Sequence, residues 1–296
     1  MSRVLGLDIG GSTTRAQLVA DGTVIAEATG ASASMTAAGP ERAAAALTEL
    51  LRQLPDLTGR LDAACAGAAG ASTAPQTTDF LHATLTPLTA SGRVVVVDDA
   101  ALILPAAGLT DGIAVIAGTG SIAAGSWHGR SARTGGWGYL LGDEGGGYWV
   151  VRSAIRTLLA RSAQGQPGGP LGDCLLAGSA AADLDELRAA FYRQPAPRQW
   201  AGLAPAVLDC ADPEAGRVTR AAAAALAELA GQLADRLGAS GEVPVVLAGG
   251  LMRHNRLCAA TATAVTAALP AARVQVLSVP PVTGAVRLAL AAIGGS

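Results

Sequence analysis

The sequence predicts an α/β fold, because apolar strand-like runs alternate with helix-favouring segments along most of its 296 residues. A second observation supports this. A strand, a glycine turn rich in hydroxyl side chains and another strand occur twice, beginning near residues 3 and 113. The composition agrees with a packed globular chain, since 50% of the residues are hydrophobic and 15% are charged. We therefore expect an α/β protein with a weak internal repeat.

The elements of the first half follow from residue type and spacing. Asp21-Gly22 is a hairpin signal between two strands, and Pro40 opens a helix with apolar residues on one face. A short helix of small residues is expected after the acids at 98 and 99. The β-branched and apolar runs predict strands at 3–8, 16–19, 23–28, 61–65 and 94–97.

The second half is predicted to be mostly helical, with a glycine- and proline-rich loop over 164–170. Apolar periodicity and alanine content predict helices at 148–163, 214–237, 253–269 and 283–293. Short apolar runs predict strands at 113–116, 122–127, 243–247 and 274–277.

All 21 basic residues are arginine, and this excludes several chemistries. A Walker A loop, protein-kinase chemistry and Schiff-base chemistry each need a lysine. A nucleotide in this protein would have to be held by backbone amides, hydroxyls, a carboxylate-bound metal or arginine.

Charge and cysteine usage limit the partners. The net charge is −2 and no basic stripe occurs, so we expect no nucleic-acid partner. No apolar run approaches the length of a membrane span, and no signal-peptide pattern occurs at the start, so we expect no membrane and a cytoplasmic location. The four cysteines form no CxxC pair and are interpreted as small buried apolar residues.

The first candidate site is Asp8 with the turn that follows it, Gly10, Gly11, Ser12 and Thr13. Glycines let the backbone approach an anion closely, and the hydroxyls add donors. Asp8 at a strand end is suited to hold a metal ion beside phosphates. The alternative is an ordinary hairpin whose glycines serve only the turn.

The second candidate site is Asp98-Asp99, which ends a buried strand. Either carboxylate is a plausible general base for a hydroxyl that attacks a phosphate. The alternative is helix N-capping, which aspartate also favours.

Two further glycine motifs follow apolar strands. The second turn, Gly118, Thr119 and Gly120, can donate amides and hydroxyls to phosphate or sugar. The pair Gly249 and Gly250 is a candidate corner for a flat base packed on backbone. The alternatives are a tight hairpin and a tight strand-to-helix connection.

The segment 135–147 contains seven glycines, two acids and one tryptophan. Carbohydrate sites combine carboxylates with an aromatic or apolar wall, so this segment predicts a sugar site next to the start of a helix. The alternative is a flexible loop with a buried tryptophan.

The order of these motifs resembles the superfamily of actin, Hsp70 and the sugar kinases. Within it, the chain resembles the N-acetylglucosamine and glucosamine kinases of the BadF/BadG/BcrA/BcrD ATPase family. The resemblance runs from Leu5 to the terminal helix. It rests on the motifs Asp98-Asp99-Ala100-Ala101, Gly118-Thr119-Gly120-Ser121, Gly136-Trp137-Gly138 and Gly142-Asp143-Glu144-Gly145.

The resemblance implies a two-lobed actin-like, ribonuclease H-like fold with a ligand cleft between the lobes. The lobes would be 1–110, to which the terminal helix 283–296 is a candidate addition, and 111–282. The implied reaction moves the γ-phosphate of ATP, with Mg²⁺, to the 6-hydroxyl of an amino sugar, N-acetylglucosamine or glucosamine. A homodimer is the implied assembly.

The resemblance also implies residue roles. Asp99 is the catalytic base, Asp8 the metal-linked acid, and Gly249 and Gly250 the adenosine corner. The implied phosphate-binding residues are Gly10, Gly11, Ser12, Thr13, Gly118 and Thr119. The implied sugar-binding residues are Ser34, Asp99, Thr119, Gly120, Gly136, Trp137, Asp143 and Glu144.

The chain departs from this pattern at three positions. Thr13 stands where many relatives carry lysine, and Arg15 is a nearby candidate for the missing charge. Ile122 stands where animal N-acetylglucosamine kinases carry a sugar-contacting asparagine, and Ser34 stands roughly where they carry another. The departures weaken the N-acetyl assignment and leave room for unacetylated glucosamine or another hexose such as glucose.

Two other classes stay open. An ATP-driven activator of a 2-hydroxyacyl-CoA dehydratase would need cysteines for an iron–sulfur cluster, and the four cysteines lack the expected glycine-rich context. A non-catalytic nucleotide-dependent binding module would not need the segment 135–147.

Overall fold

The computed structural model describes residues 2–55, 57, 61–193 and 196–294. The chain divides into two compact units, which we call unit 1 and unit 2. Unit 1 contains residues 1–110 and 277–296, and unit 2 contains residues 111–276. Residues 277–282, which the sequence analysis assigned to the second lobe, belong by their contacts to unit 1.

Each unit contains one five-stranded sheet. The strands of unit 1 are β1 Arg3–Ile9, β2 Thr13–Ala20, β3 Thr23–Ala31, β4 Ala63–Ala68 and β5 Val94–Val97. The strands of unit 2 are β6 Gly112–Ala117, β7 Ser121–Trp127, β8 Arg130–Gly135, β9 Pro244–Ala248 and β10 Arg273–Val276.

Helices connect and cover these strands. They are α1 Met35–Ala38, α2 Pro40–Arg52, α3 Pro75–Leu85, α4 Ile103–Ala106, α5 Gly147–Ala163, α6 Gly169–Ser179, α7 Leu184–Arg193, α8 Pro197–Ala201, α9 Ala204–Asp209, α10 Pro213–Leu237, α11 Asn255–Ala268 and α12 Val282–Gly294. Short 3₁₀ helices span Thr86–Leu88, Asp99–Leu102 and Gly250–Arg253.

The two sheets have the same topology. Unit 1 has the order β3-β2-β1-β4-β5 and unit 2 has β8-β7-β6-β9-β10. In each sheet the first three strands in the sequence are antiparallel, and the last two are parallel to the first. The internal repeat and the α/β fold class are therefore confirmed, and the strand order is the ribonuclease H-like arrangement.

The two faces of β1 place Asp8. Leu5, Leu7 and Ile9 point into one core, whereas Val4 lies in a second core that includes residues of α12. Because side chains alternate along a strand, Asp8 shares the face of Val4 and Gly6. Position 6 requires glycine, since a Cβ there would lie 2.7 Å from the backbone nitrogen of Val286 in α12.

Unit 2 is built on the long helix α10. This helix is capped by Asp212, whose side chain accepts from the Glu214 N–H, and it ends at Gly238 in a left-handed conformation. Its buried face packs on α11 and on the strands β6, β7 and β8. Within the part of the chain that is described, no helix is long and apolar enough to cross a membrane.

The structure also contains elements that the sequence analysis did not predict. The strand β8 and the helices α3, α6, α7, α8 and α9 belong to this group. Helix α6 begins at Gly169, so the last two residues of the predicted loop 164–170 are helical. The expected helix after Asp99 is a 3₁₀ turn followed by the four-residue helix α4.

Candidate active site

Two partly buried carboxylates lie at the carboxyl ends of strands in unit 1. Asp8 is the penultimate residue of β1, and Asp99 follows β5. Since β1, β4 and β5 are parallel, their carboxyl ends meet at one edge of the sheet. The pKa of Asp8 is raised to about 6, chiefly by burial and in part by the negative charge of Asp99, while the charge of Arg15 opposes the shift.

The adjacent residues Asp98 and Asp99 make different contacts. The Asp98 Oδ1 accepts a hydrogen bond of 3.0 Å from the Ser72 N–H and ties down the loop after β4. The Asp99 Oδ1 accepts one of 2.9 Å from the Ala100 N–H. Burial raises the pKa of Asp99, the Ala100 N–H lowers it, and the charge of Asp98 raises it. Asp99 is thus the acid whose charge reaches Asp8.

The first glycine turn is anchored on one side and open on the other. The Gly10 N–H donates to the Thr13 carbonyl oxygen at 3.1 Å. The Ser32 hydroxyl donates to the Gly10 carbonyl at 2.7 Å. Gly11 and Thr13 are exposed, and Ser12 is partly buried. The turn can therefore present backbone and hydroxyl groups to an anion without losing its own anchor.

Ser34 has a structural role. Its side chain is fully buried, and its hydroxyl accepts from the Ala37 N–H at 3.4 Å as the N-cap of α1. It also lies 2.9 Å from the Thr36 hydroxyl. Because these contacts occupy the hydroxyl, we do not include Ser34 in the proposed sugar site.

The second glycine turn is fastened to the start of α5. The Gly118 N–H donates to the Gly120 carbonyl at 2.9 Å. The Gly118 carbonyl accepts from the Gly147 N–H at 2.8 Å, and the Thr119 carbonyl accepts from the Tyr148 N–H at 3.0 Å. The Thr119 side chain is exposed. This turn is therefore held in place by the first residues of α5, while its tip stays accessible to solvent.

Asp143 lies directly against the second turn. It adopts φ 62°, a left-handed conformation that few non-glycine residues adopt. Burial raises its pKa, whereas the N–H groups of Ser121 and Gly138 lower it by hydrogen bonding to the carboxylate. A Cβ at Gly120 would overlap the Asp143 Oδ2, so the glycine makes room for this carboxylate.

The rest of the segment 136–147 is pinned by similar contacts. The Ser121 hydroxyl donates to the Glu144 carbonyl at 2.6 Å, which leaves the Glu144 side chain exposed. A Cβ at Gly146 would lie 2.6 Å from the Gly120 carbonyl carbon, so these two backbones pack directly. The segment is thus an ordered platform with two carboxylates on it.

Trp137 stands at the edge of this platform. The residue is 63% exposed, so the interpretation as a buried tryptophan is wrong. A Cβ at Gly142 would lie 3.1 Å from the Trp137 Cβ, which shows how closely the tryptophan packs on that glycine. The exposed ring is available to pack against a ligand.

The glycine pair after β9 lies beside the second turn, because β9 is parallel to β6. Gly249 has φ 97°, and a Cβ there would overlap the carbonyl oxygen of Ala117. Gly250 is exposed and has no atom near its missing Cβ. The pair therefore leaves an open surface of bare backbone.

The three histidines form no metal-binding spacing in the sequence, which assigns them no role and leads us to expect that His128 and His254 are exposed. His128 is exposed, but the side chain of His254 is only 16% exposed. The His254 Nε2 lies 2.8 Å from the Asp209 Oδ1, and its Nδ1 is buried and has no hydrogen-bond partner among the described residues. The expectation for His254 was wrong because this contact joins two distant segments.

A cavity of about 340 Å³ lies elsewhere in unit 2, among α6, α7 and α8. Ser179, Arg193, Gln199 and Trp200 are among its lining residues, and none of the predicted site residues lines it. Among the described residues, no group of three or more histidine, cysteine or acidic side chains could hold a metal ion. Cys65 and Cys210 are buried, and the other two cysteines are partly buried.

The structure thus brings the predicted residues together in two groups. In unit 1 the first turn lies near Asp8 and Asp99. In unit 2 the second turn, Asp143 and the segment around Trp137 are one contact network. Two groups that hold this network, the Ser121 hydroxyl and the Gly138 N–H, were not among the predicted site residues. The position of Ser121 directly after the glycine turn 118–120 is the sequence signal that could have indicated this role.

Comparisons with known proteins agree on one family. The model of the BadF/BadG/BcrA/BcrD ATPase family matches residues 5–292. The chain is 35% identical over 167 residues to the N-acetylmuramic acid/N-acetylglucosamine kinase of Clostridium acetobutylicum, and the match spans about half of each chain, 54% in both cases.

Solved structures agree over the whole chain. A crystal structure of an inferred N-acetylglucosamine kinase from Chromobacterium violaceum is similar with a TM-score of 0.79 and 28% identity, covering 98% of this chain and 99% of that one. An inferred N-acetylglucosamine kinase from Porphyromonas gingivalis has a TM-score of 0.73 at 20% identity, covering 100% and 99%. The latter supports the fold alone.

Proposed function

Because this chain belongs to the BadF/BadG/BcrA/BcrD ATPase family, we propose that it is an ATP-dependent kinase of an amino sugar. The γ-phosphate of ATP would go to the 6-hydroxyl of N-acetylglucosamine or glucosamine. The observation that carries the proposal is the pair of carboxylates, Asp8 and Asp99, beside an open glycine turn. The names of the similar proteins point to the same substrate class.

Asp99 is the proposed general base. The sugar oxygen forms a bond to the γ-phosphorus, the bond from that phosphorus to the β,γ-bridging oxygen breaks, and ADP leaves. The proton of the sugar hydroxyl goes to the Asp99 carboxylate. Burial and the nearby acid raise the pKa of Asp99 and so make it a better proton acceptor than an ordinary aspartate. Asp98 is already engaged with Ser72 and positions the loop.

Asp8 is the proposed link to Mg²⁺. Two carboxylates near each other repel, and a divalent cation would remove that repulsion. Magnesium takes one or two carboxylates and fills its remaining positions with phosphate oxygens and water, which suits a site with few acids. Bound there, Mg²⁺ would neutralise charge on the phosphates. The turn residues Gly11, Ser12 and Thr13 would donate to the same phosphates, while Gly10 holds the shape of the turn through its bond to the Thr13 carbonyl.

The platform of unit 2 is the proposed site for the remaining substrate contacts. Asp143 and Glu144 can accept from sugar hydroxyls, and Trp137 offers a face for the ring. The Thr119 hydroxyl would donate to phosphate beside Gly118, and the bare backbone of Gly249 and Gly250 would accommodate the adenine base.

One observation favours a second candidate substrate, glucose or another hexose without the acetamido group. The position where similar animal kinases use asparagine is Ile122, whose side chain lies against the missing Cβ of Gly136. An apolar side chain next to a proposed sugar contact cannot donate to an acetamido oxygen. The position therefore weakens selection for the N-acetyl group.

A coupled ADP-release assay with ATP and Mg²⁺ tests the proposal. The panel holds glucosamine, N-acetylglucosamine, N-acetylmannosamine, glucose and a sample without sugar. Stimulation by one amino sugar well above the sugar-free rate supports the proposal and identifies the substrate. Stimulation by glucose alone supports the second candidate. Equal turnover with and without sugar contradicts both and favours an activator or binding module.

We further propose a cytoplasmic location, where ATP is available, and a homodimer. Light scattering coupled to size-exclusion chromatography measures the mass directly. A mass near twice the 29.2 kDa of one chain supports the dimer, and a mass of one chain contradicts it.

A further inference from the structure

Arg15 occupies a distinctive place in the first sheet. It pairs directly with Asp8 across the β1–β2 ladder and with Thr29 across the β2–β3 ladder. Side chains of paired residues lie on the same face, so the guanidinium stands on the face that carries Asp8. Thr13 is two residues away on β2 and therefore shares that face, directly beside the open turn.

No local partner holds this cation. Among the residues that the structure describes, the Arg15 side chain makes no hydrogen bond and lies in no ion pair, although the residue is partly buried. Its charge reaches Asp8 without a salt bridge. The next acid on β3, Glu27, is engaged by the Gln17 side chain at 2.6 Å. A partly buried guanidinium that no acid in contact neutralises is suited to bind an anion.

The composition makes this cation more significant. The chain has no lysine, so each positive side chain that could meet a phosphate is an arginine. On the sheet face beside the first turn, Arg15 is the cation that the β1–β2–β3 ladders place opposite Asp8. Its fork of five donors fits phosphate oxygens in a bidentate way.

We propose that Arg15 binds the β- and γ-phosphates of the nucleotide at the first glycine turn. The inference rests on the proposed kinase function. It makes Arg15 a catalytic residue, since the guanidinium would neutralise charge on the phosphoryl group as it transfers. Asp8 opposite would hold the guanidinium in orientation through its charge.

Nucleotide binding measured by isothermal titration calorimetry tests the proposal apart from activity. Arg15→Gln is expected to weaken ATP binding about 10- to 100-fold, because a hydrogen-bonded charge is lost. Adenosine, which carries no phosphate, is expected to bind as it does to the wild type. Arg42→Gln is the matched control, since Arg42 is an exposed arginine on α2 in the same unit.

A rescue separates charge from structure. Thr13→Lys in the Arg15→Gln background places a new ammonium on the same face beside the turn, and it is expected to restore at least half of the lost ATP affinity on a logarithmic scale. Arg15→Lys, which keeps the charge, is expected to stay within about tenfold of the wild type. Melting temperatures confirm that each variant is folded, and Arg15→Lys serves if Arg15→Gln does not fold.

Three results would overturn the inference. They are unchanged ATP affinity in folded Arg15→Gln, equal losses for ATP and adenosine, and no rescue by Thr13→Lys. If Arg15→Gln does not fold, the inference is overturned by a folded Arg15→Lys that loses far more than tenfold in ATP affinity. The kinase proposal fails separately, when the wild type binds ATP but no sugar stimulates ADP release. A wild type that binds no ATP contradicts both.

Discussion

The two glycine turns lie at the same place in two sheets of the same topology, yet they are built for different tasks. The turn of unit 1 connects β1 to β2, and its tip residues Gly11 and Thr13 are exposed. The turn of unit 2 connects β6 to β7 and is fastened by backbone hydrogen bonds from Gly147 and Tyr148. One turn is open beside charged side chains, and the other is held by a platform.

The source of the carboxylate differs as well. In unit 1 the acid lies on the strand itself, at Asp8, two residues before Gly10. In unit 2 the corresponding position, two residues before Gly118, is Ile116, and the acid comes from Asp143 in a distant loop. The repeated topology thus supplies two similar glycine turns, and the side chains around each turn determine its chemistry. We infer that the residues at the first turn take part in phosphoryl transfer, whereas those at the second turn bind substrate.

The largest expected effect is that of Asp99→Asn. Removal of the proposed base should lower the turnover number about 10²- to 10⁴-fold and leave ATP binding intact. Asp98→Asn is the matched comparison and should cost far less, since its carboxylate only fastens the Ser72 backbone. Steady-state kinetics and calorimetry measure both. An inactive Asp98→Asn beside a healthy Asp99→Asn would reverse the assignment.

The next largest effect should separate binding from transfer. Asp143→Asn is expected to raise the KM for sugar about 10- to 100-fold, because a hydrogen bond to a charged group is lost. The KM for ATP should change little. A fall in turnover number with unchanged KM for sugar would instead assign chemistry to unit 2 and break the comparison.

Glycine substitutions test the difference in how the turns are held. A Cβ at Gly146 would meet the Gly120 backbone at 2.6 Å, so Gly146→Ala should destabilise the protein by about 1–3 kcal/mol. The nearest atom to a Cβ at Gly11 is 4.0 Å away, so Gly11→Ala should leave the stability nearly unchanged. Urea unfolding measures both. Equal losses would show that the first turn is as confined as the second.

The smallest effect concerns stability and pH. The pKa of Asp8 is raised from 3.8 to about 6, so its ionisation destabilises the fold as pH rises through that window. Asp8→Asn should therefore increase the free energy of unfolding at pH 7.5 by about 1–2 kcal/mol, after allowance for solvent screening. At pH 3, below the unfolded-state pKa of 3.8, the two proteins should be nearly equally stable. A less stable variant at pH 7.5 would show that Asp8 is stabilised rather than strained.

Much of this architecture could be predicted from local sequence. The β-branched run at 94–97 and the apolar run before Asp8 predicted β5 and β1 correctly, because a short hydrophobic run that ends at an acid or a glycine is typical of a buried strand. The strand β8 escaped prediction because its six residues, RSARTG, contain little apolar character. Its signal was the turn His128-Gly129, in which both residues have positive φ.

The site was only partly predictable for a different reason. The residues that carry charge or glycine stood out, but their partners depend on contacts between distant segments. The link from Ser121 to Glu144 joins residues 23 positions apart, and that from His254 to Asp209 joins residues 45 apart. The capping role of Ser34 depends likewise on where α1 begins.

The most direct test of the account is the product formed from ATP and an amino sugar by the wild type and by Asp99→Asn side by side. Proton-coupled ³¹P NMR distinguishes the esters, because a 6-phosphate couples to two methylene protons and a 1-phosphate to one. The account predicts that the wild type forms a sugar 6-phosphate and that the folded variant, which still binds ATP, forms almost none. A phosphate at another position, no sugar ester, or undiminished product from the variant would contradict it.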